Sequence, residues 1–188
     1  LELFAPTPQG RSAEHRWFGR IRRGGGLADF CLLGAGLAAE ISRIRELGIE
    51  YSQPFAMSRV TPDGTRIEWR LSTPPGVNGQ HGWPFMIEDA TPRAIRVPHA
   101  PEQIRHANGA MGVAGITVLV RDVAASAMAY EAILGAGPQT QTHAPGAAEA
   151  IFPLTGAWIQ LREPRSAEET GHLEQHGQVP YQVTLRSR

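Results

Sequence analysis

Charged and apolar side chains alternate along residues 65–72, where the charged set could bind an anionic substrate. On a strand this alternation separates two faces, because successive side chains point to opposite sides. The charged face carries Arg66, Glu68 and Arg70, and the apolar face carries Ile67, Trp69 and Leu71. If the charged face lined a cavity, Arg70 could bind a substrate carboxylate through two parallel hydrogen bonds, and Trp69 is a candidate cavity-lining aromatic. The alternative is a solvent-facing ladder of charged cross-strand pairs.

The histidines show no metal-binding spacing such as HExxH, and each is interpreted first as a solvated loop residue. They are His15, His81, His99, His106, His143, His172 and His176. The single cysteine, Cys31, excludes an internal disulfide and fits a reducing compartment. Because no base is expected beside it, we interpret its thiol as inert.

Several kinds of chemistry are excluded by composition. All basic residues apart from histidine are arginine, so Schiff-base chemistry, pyridoxal phosphate attachment and a P-loop lysine are absent. The formal net charge is zero, which gives no electrostatic footprint for nucleic acid or an anionic membrane. No apolar run is long enough to span a bilayer, and no signal-peptide pattern is present. These features favour a cytoplasmic protein without nucleic-acid or membrane partners.

One order of elements is predicted twice along the chain. In the first half, strands are expected over 27–33, 55–61, 65–72 and 84–88, with a helix over 37–47. In the second half, a strand over 115–120 precedes a helix over 122–134 and three strands over 137–142, 147–154 and 157–162. A last strand is expected over 179–185. Both halves therefore read as strand, helix and three strands.

Sequence similarity within the chain supports a duplication. LELFAP at residues 1–6 is echoed by IQLREP at residues 159–164. Both copies combine apolar residues, an acidic or amide residue and a closing proline. The spacing is too long for a solenoid repeat and suits a duplicated small module.

The segment GITVLVRDVAASAMAYEAILG at residues 115–135 resembles the opening of a βαβββ module of the vicinal oxygen chelate superfamily. This superfamily includes glyoxalase I, extradiol dioxygenases and bleomycin-resistance proteins. LELFAP, GGLADFCLL and PDGTRIEWRL are similar to motifs of a glyoxalase-like branch and occur in its order. The resemblance implies an α+β fold of tandem βαβββ modules that form curved mixed sheets.

The resemblance also implies domain bounds. Residues 27–90 and 109–163 would each be a complete module. Residues 1–6 would be the last strand of a preceding module, and residues 179–186 the first strand of a following one. On this view the chain begins one strand before a module and ends one strand into another.

In this superfamily a divalent metal is held by inward-facing residues on the first and last strands of paired modules, and Zn, Ni, Mn or Fe would suit. The resemblance places Glu2 and Asp29 at two such positions, with a third ligand absent or upstream. Two oxygen ligands are too few for a tight transition-metal site. Glu2 could instead be a strand-end carboxylate in solvent, and Asp29 could mark a strand edge. The remaining positions hold no anionic or imidazole ligand: Met86, Gly115, Gln160 and Gln182.

His106 is kept as a candidate substrate-binding residue because His-Ala-Asn-Gly at 106–109 is similar to a feature of the same branch. Its alternative role is to fix the turn into the next module.

Three functions follow from the resemblance. The leading hypothesis is a glyoxalase-like protein that acts on a small carbonyl- or vicinal-oxygen-bearing metabolite, as a metal-dependent lyase, isomerase or dioxygenase. The alternative is a non-catalytic protein of the bleomycin-resistance type that sequesters a small molecule in an aromatic-lined cavity. A third hypothesis makes one module pair structural, supporting the other pair or a homodimer interface.

Overall fold

The computed structural model describes residues 15–76, 80–97, 100–143 and 147–187. Within these ranges the chain forms five helices and nine strands in two sheets. The helices are α1 (Phe18–Arg22), α2 (Leu37–Glu46), α3 (Arg93–Arg96), α4 (Val123–Leu134) and α5 (Ala167–His176). The strands are β1 (Cys31–Leu33), β2 (Phe55–Val60), β3 (Arg66–Ser72), β4 (Phe85–Asp89), β5 (Ala110–Leu119), β6 (Thr140–Thr142), β7 (Glu149–Leu154), β8 (Ala157–Arg162) and β9 (Pro180–Ser187).

The chain divides into two compact units. The first unit contains α1, α4, α5, the strands β6 to β8 and most of β5 and β9. It also includes residues 80–82 of the connection between β3 and β4. The second unit contains β1 to β4 with α2 and α3.

The sheet of the second unit has the order β1-β4-β3-β2, with β1 parallel to β4 and the other pairs antiparallel. Helix α2 contacts β3 and β4. Its apolar residues recur three and four positions apart, so Leu37, Ile41 and Ile44 form one buried stripe. Burial of such a stripe supplies most of the stability of a helix of this length. Ile67 of β3 is completely buried in the same unit.

The sheet of the first unit has the order β6-β7-β8-β5-β9, with β5 parallel to β8. Helix α4 contacts β7 and β8. It begins at Asp122, whose carboxylate accepts a hydrogen bond from the backbone N–H of Ala125 at 2.9 Å. It ends at Gly135, which has a φ of 71° that favours glycine. The ring of its buried Tyr130 packs against Phe152 of β7.

The predicted fold class is confirmed. Each sheet is built from a strand, a helix and three further strands, and the first and last of these four strands pair in parallel. This parallel pair brings the two ends of each module side by side. The strand β9 adds a fifth strand to the sheet of the first unit, beside β5.

Two local predictions are wrong. The first strand was expected over 27–33 but forms only at Cys31–Leu33, directly after residues that make no ladder pairs. His172 and His176 were expected in loops and lie instead on α5. This helix begins with Ser166, whose Oγ accepts a hydrogen bond from the backbone N–H of Glu169 at 3.1 Å.

No helix in the described part of the chain is both long enough and apolar enough to cross a membrane.

Candidate functional site

One face of the sheet in the first unit is polar although it is largely enclosed. Ile159 and Leu161 of β8 are buried, on the side of Phe152 and of α4. Because strand side chains alternate, Gln160 and the neighbouring Arg162 point to the opposite face.

Strand register brings further polar residues to this face. Thr117 of β5 lies beside Gln160, and Glu149 of β7 lies beside Arg162. The hydroxyl of Thr117 donates to Oε1 of Gln160 at 2.9 Å, and Nε2 of Gln160 donates to Oε2 of Glu149 at 3.0 Å. Nη2 of Arg165 donates to the same carboxylate at 2.5 Å. We call Thr117, Gln160, Glu149 and Arg165 the polar row.

A paired arginine and glutamate lie next to the polar row. Nη1 and Nη2 of Arg162 each donate to one carboxylate oxygen of Glu169 on α5 at 2.7 Å. The backbone N–H of Arg165 donates to the same carboxylate at 2.7 Å. These bonds, with that of Arg162 the strongest influence, lower the pKa of Glu169 to about 2 and raise the pKa of Arg162. The pair therefore stays ionised at any physiological pH.

The position at which the resemblance predicts a metal ligand on β5 is filled by an aromatic ring. Gly115 pairs with Trp158, and a Cβ atom at position 115 would overlap the indole of Trp158. Glycine is therefore needed here for packing. A histidine at this position would require the indole to move.

Gln182 corresponds to a further predicted ligand position, and it lies on a different face from Gln160. Tyr181 of β9 meets Arg162, whose guanidinium carbon is 6.0 Å from the ring centroid. Gln182, the next residue, is exposed and by alternation points away from that face. Gly115, Gln160 and Gln182 consequently do not converge.

Asp29 is a buried carboxylate that already has partners within the protein. Its side chain is only 5% exposed, and Oδ2 lies 2.6 Å from Nη2 of Arg16 and accepts a hydrogen bond from Nε1 of Trp17 at 2.9 Å. An arginine at this distance neutralises the carboxylate and repels a cation. Glu2 lies outside the described residues. Among the residues that are described, no three histidine, cysteine, aspartate or glutamate side chains form a group suited to a metal ion. The described donor set therefore does not fit the predicted divalent metal.

Arg70 is paired with a glutamate of its own sheet. It lies opposite Glu88 in the register of β3 and β4, and Nη2 is 2.5 Å from Oε2 of Glu88. Glu88 also accepts the backbone N–H groups of Gly36 and Leu37 at the start of α2, at 2.7 and 3.3 Å. The Arg70 side chain is 48% exposed. This arrangement matches the charged cross-strand pairs that the sequence left open as the alternative.

Trp69 does not share the face of Arg70, and His106 lies in a turn outside the sheet. Trp69 is half-buried on the opposite face of β3. His106 is exposed in a turn, where its carbonyl accepts the backbone N–H of Gly109 at 3.0 Å. The side chain of Asn108 caps the same turn by accepting the backbone N–H of Ala110 at 3.1 Å. Substrate binding by Arg70, Trp69 and His106 stays a prediction.

The residues that the sequence did not single out are Thr117, Glu149, Arg162 and Glu169. A usable signal was the Ser-x-x-Glu pattern at 166–169, which is typical of the first turn of a helix. It predicts α5, and hence a helix close to the end of β8. Nothing in the sequence pairs Glu149 with Gln160, because that contact depends on strand register.

Comparison with known proteins identifies relatives at the level of family and fold. The sequence model of a family described as glyoxalase-like domain matches residues 1–134. Among solved structures, a hypothetical protein from Staphylococcus aureus aligns with a TM-score of 0.60 at 12% identity, covering 82% of this chain and 62% of the other. A mutant of 4-hydroxymandelate synthase from Streptomyces coelicolor aligns with a TM-score of 0.57 at 13% identity, covering 93% of this chain and 53% of the other.

The chain thus spans less than two thirds of the length of either structure. At these identities the likeness concerns the fold alone. No curated protein matches the sequence.

Proposed function

The chain belongs to the glyoxalase-like domain family, and from that premise we propose that its first unit binds a small organic molecule on the face that carries the polar row. The binding is of the sequestering type and uses no metal ion held by that face. The observation that carries this proposal is the hydrogen-bonded chain from Thr117 through Gln160 to Glu149. It occupies a position at which a metal enzyme of this superfamily would place a ligand.

The face offers both polar and apolar surface to such a molecule. Trp158 and Ile151 are half-buried beside Gln160, so they can cover an apolar or aromatic part of the ligand. Gln160 uses one of its two amide hydrogens for Glu149 and has a second for a ligand oxygen. A carbonyl- or vicinal-oxygen-bearing metabolite matches this pattern.

The electrostatics of the polar row favour binding over acid–base catalysis. Glu149 is the carboxylate of the row, and Arg165 lies 2.5 Å from it. Oε2 of Glu149 accepts from both Gln160 and Arg165, so this oxygen is already engaged within the protein. The row is therefore suited to holding a ligand in one orientation.

Ligand screening with matched variants tests this proposal. The purified chain is incubated with small dicarbonyl, catechol and diol compounds, and thermal unfolding is followed with and without a chelator. A ligand should raise the melting temperature equally in both conditions, since it stabilises the native state by mass action. Gln160→Met should weaken binding about tenfold, which corresponds to the loss of one good hydrogen bond.

Gln182→Met is the matched control, because Gln182 is exposed and points away from the face. Equal binding by the two variants would contradict the proposal. So would stabilisation that disappears when the chelator is added.

The metal-dependent function predicted from Glu2 and Asp29 is the competing proposal. Metal content should be measured in the complete protein and in Glu2→Gln. Stoichiometric metal that is lost in the variant would support the metal-dependent function and would make the chain an enzyme candidate. Since Arg16 and Trp17 already engage Asp29, we expect Asp29→Asn to change stability more than metal content.

A further inference from the structure

A guanidinium group is buried in the first unit without hydrogen-bond partners for two of its nitrogens. Arg20 on α1 is 4% exposed, and its Nε and Nη1 atoms are enclosed. Neither atom has a partner among the described residues. Buried polar atoms are nearly always hydrogen-bonded, and a buried charge is costly unless it is paired. Two enclosed guanidinium nitrogens without a partner therefore indicate a missing acceptor.

The charge of Arg20 acts on two imidazoles of α5 and lowers the pKa of both. His172 and His176 are one helical turn apart on α5, and their ring centroids are 4.7 Å apart. Nε2 of His172 and Nδ1 of His176 are also enclosed without a partner in the described chain. The ring of Tyr181 on β9 meets His172 edge-on at 5.0 Å.

The cluster carries an excess of positive charge. Burial is the main cause that lowers the pKa of both histidines, and the nearby charge of Arg20 lowers the pKa of each further. Arg23 adds to this effect at His176, whereas Glu168 on α5 opposes it at His172. The positive charge of Arg20 therefore disfavours protonation of both rings. A bound anion would offset this effect.

The backbone beside Arg20 is shaped for close approach. A Cβ atom at Gly26 would lie 2.6 Å from Nη2 of Arg20, and Gly26 has a φ of 93°. The positive φ favours glycine at this position, and a Cβ there would displace the end of the Arg20 side chain. The glycine therefore lets the chain pass directly over the guanidinium and hold it in place.

We propose that Arg20, His172 and His176 form a binding site for a small oxyanion, either phosphate or the carboxylate or phosphate group of a small molecule. The two nitrogens of Arg20 and one nitrogen of each ring supply donors from two helices. Both rings are half-exposed, so solvent and a dissolved anion reach the imidazoles. A metal ion does not suit the cluster, because the guanidinium has no lone pair to offer and repels cations.

The site has a defined pH dependence. An anion between the rings stabilises their protonated forms and raises their pKa, so binding should strengthen as the pH falls through the histidine range. Arg20, Arg23, Glu168 and Tyr181 are the charged or titratable groups that face the two rings. The pH dependence is assigned to the two histidines, because an imidazole has its ordinary pKa near neutral pH.

Phosphate binding to the purified chain tests the proposal. Titration calorimetry and thermal unfolding are followed with inorganic phosphate at pH 6 and pH 8, against sodium chloride of the same ionic strength. Phosphate should raise the melting temperature beyond chloride, and more at pH 6. Acetate in place of phosphate distinguishes a carboxylate site from a phosphate site.

Variants distinguish phosphate binding at this site from a general effect of salt on stability. A double variant, His172→Asn with His176→Asn, should weaken phosphate binding at least about tenfold, since two charge-assisted donors are lost. Arg22→Gln, an exposed arginine on α1, should bind as the unaltered protein does. The histidine variants are preferred to Arg20→Gln because their half-exposed rings can be replaced with less risk to folding.

Three outcomes would overturn the proposal. They are an equal effect of phosphate and chloride, unchanged phosphate binding in the double variant, and stabilisation by zinc but not by either anion. None of these outcomes bears on ligand binding at the polar row, which Gln160→Met tests separately.

Discussion

Each sheet contains an arginine that is paired with a glutamate, and the surroundings of the two pairs differ. In the second unit Arg70 pairs with Glu88, and the arginine side chain is 48% exposed. In the first unit Arg162 pairs with Glu169, and the arginine side chain is 9% exposed. The difference arises because Glu169 belongs to α5, a helix that follows β8 and lies against its end. Because α5 supplies Glu169, the charge of Arg162 is both paired and enclosed.

The strand faces of the two units differ in the same way. In the second unit, the charged face of β3 remains a surface ladder with Arg66 hydrogen-bonded to Glu68 at 2.8 Å. In the first unit, strand register holds the polar row, in which Thr117 is buried, Gln160 and Glu149 are half-buried and Arg165 is 43% exposed. Enclosure makes each polar contact worth more and each lost contact costlier.

The largest expected effect is at Gly115. Gly115→Ala should lower the free energy of unfolding by about 3 kcal/mol, because the added methyl overlaps the indole of Trp158. Urea denaturation measures this change. Gly112→Ala on the same strand is the control, since a Cβ there meets nothing within 4 Å. If both substitutions cost the same, the indole does not fill the position.

The next largest effect is expected at the enclosed pair of Arg162 and Glu169. Glu169→Gln should destabilise the protein by about 2 kcal/mol, because it leaves the enclosed guanidinium of Arg162 without its anion. Solvent reaches part of the carboxylate and screens the pair, so the loss is smaller than for a fully buried pair. Equilibrium unfolding in urea at neutral pH provides the measurement. A change below about 0.5 kcal/mol would place this pair with ordinary surface pairs.

Acid should weaken the same contact. The pKa of Glu169 falls from its ordinary 4.5 to about 2 in the folded protein, so the pair contributes fully above pH 4.5. The contribution is lost as the pH falls from 4.5 towards 2, because the unfolded chain takes up the proton first. Melting temperatures measured across this range should fall less steeply in Glu169→Gln. Parallel curves for the variant and the unaltered protein would contradict the assignment.

The smallest expected effect is at the exposed pair. Arg70→Gln should change the free energy of unfolding by no more than about 0.5 kcal/mol, because solvent screens a half-exposed arginine. The same urea series measures it. A loss comparable to that of Glu169→Gln would mean that Arg70 is far more enclosed than its pair with Glu88 indicates.

The sequence predicted the architecture well because strand and helix periods recur in both modules. The strand β8 was predicted at its observed bounds, and α2 and α4 to within one residue. The resemblance to the vicinal oxygen chelate superfamily is confirmed by the family match. The bounds of the modules stay a prediction.

The site was harder to predict because its contacts join residues far apart in sequence. Gln160 was singled out only for failing to be a metal ligand, whereas its contact with Glu149 depends on the register of β7 against β8. The histidines of α5 were assigned to loops because the apolar pattern of that helix is weak. Its one buried residue is Leu173, which leaves little periodic signal.

The parallel pairing of the first and last strands in each module has a consequence for folding speed. Cys31 must meet Phe85, and Gly115 must meet Trp158, with a helix and two strands of chain between the partners. Closing such long loops costs entropy before any ladder bond repays it. The hairpin of β2 with β3 and that of β7 with β8 can form early, and the parallel pairs of β1 with β4 and of β5 with β8 should close late. Refolding should therefore be slow for a chain of this size, with the edge of each unfinished sheet open to other chains during the delay.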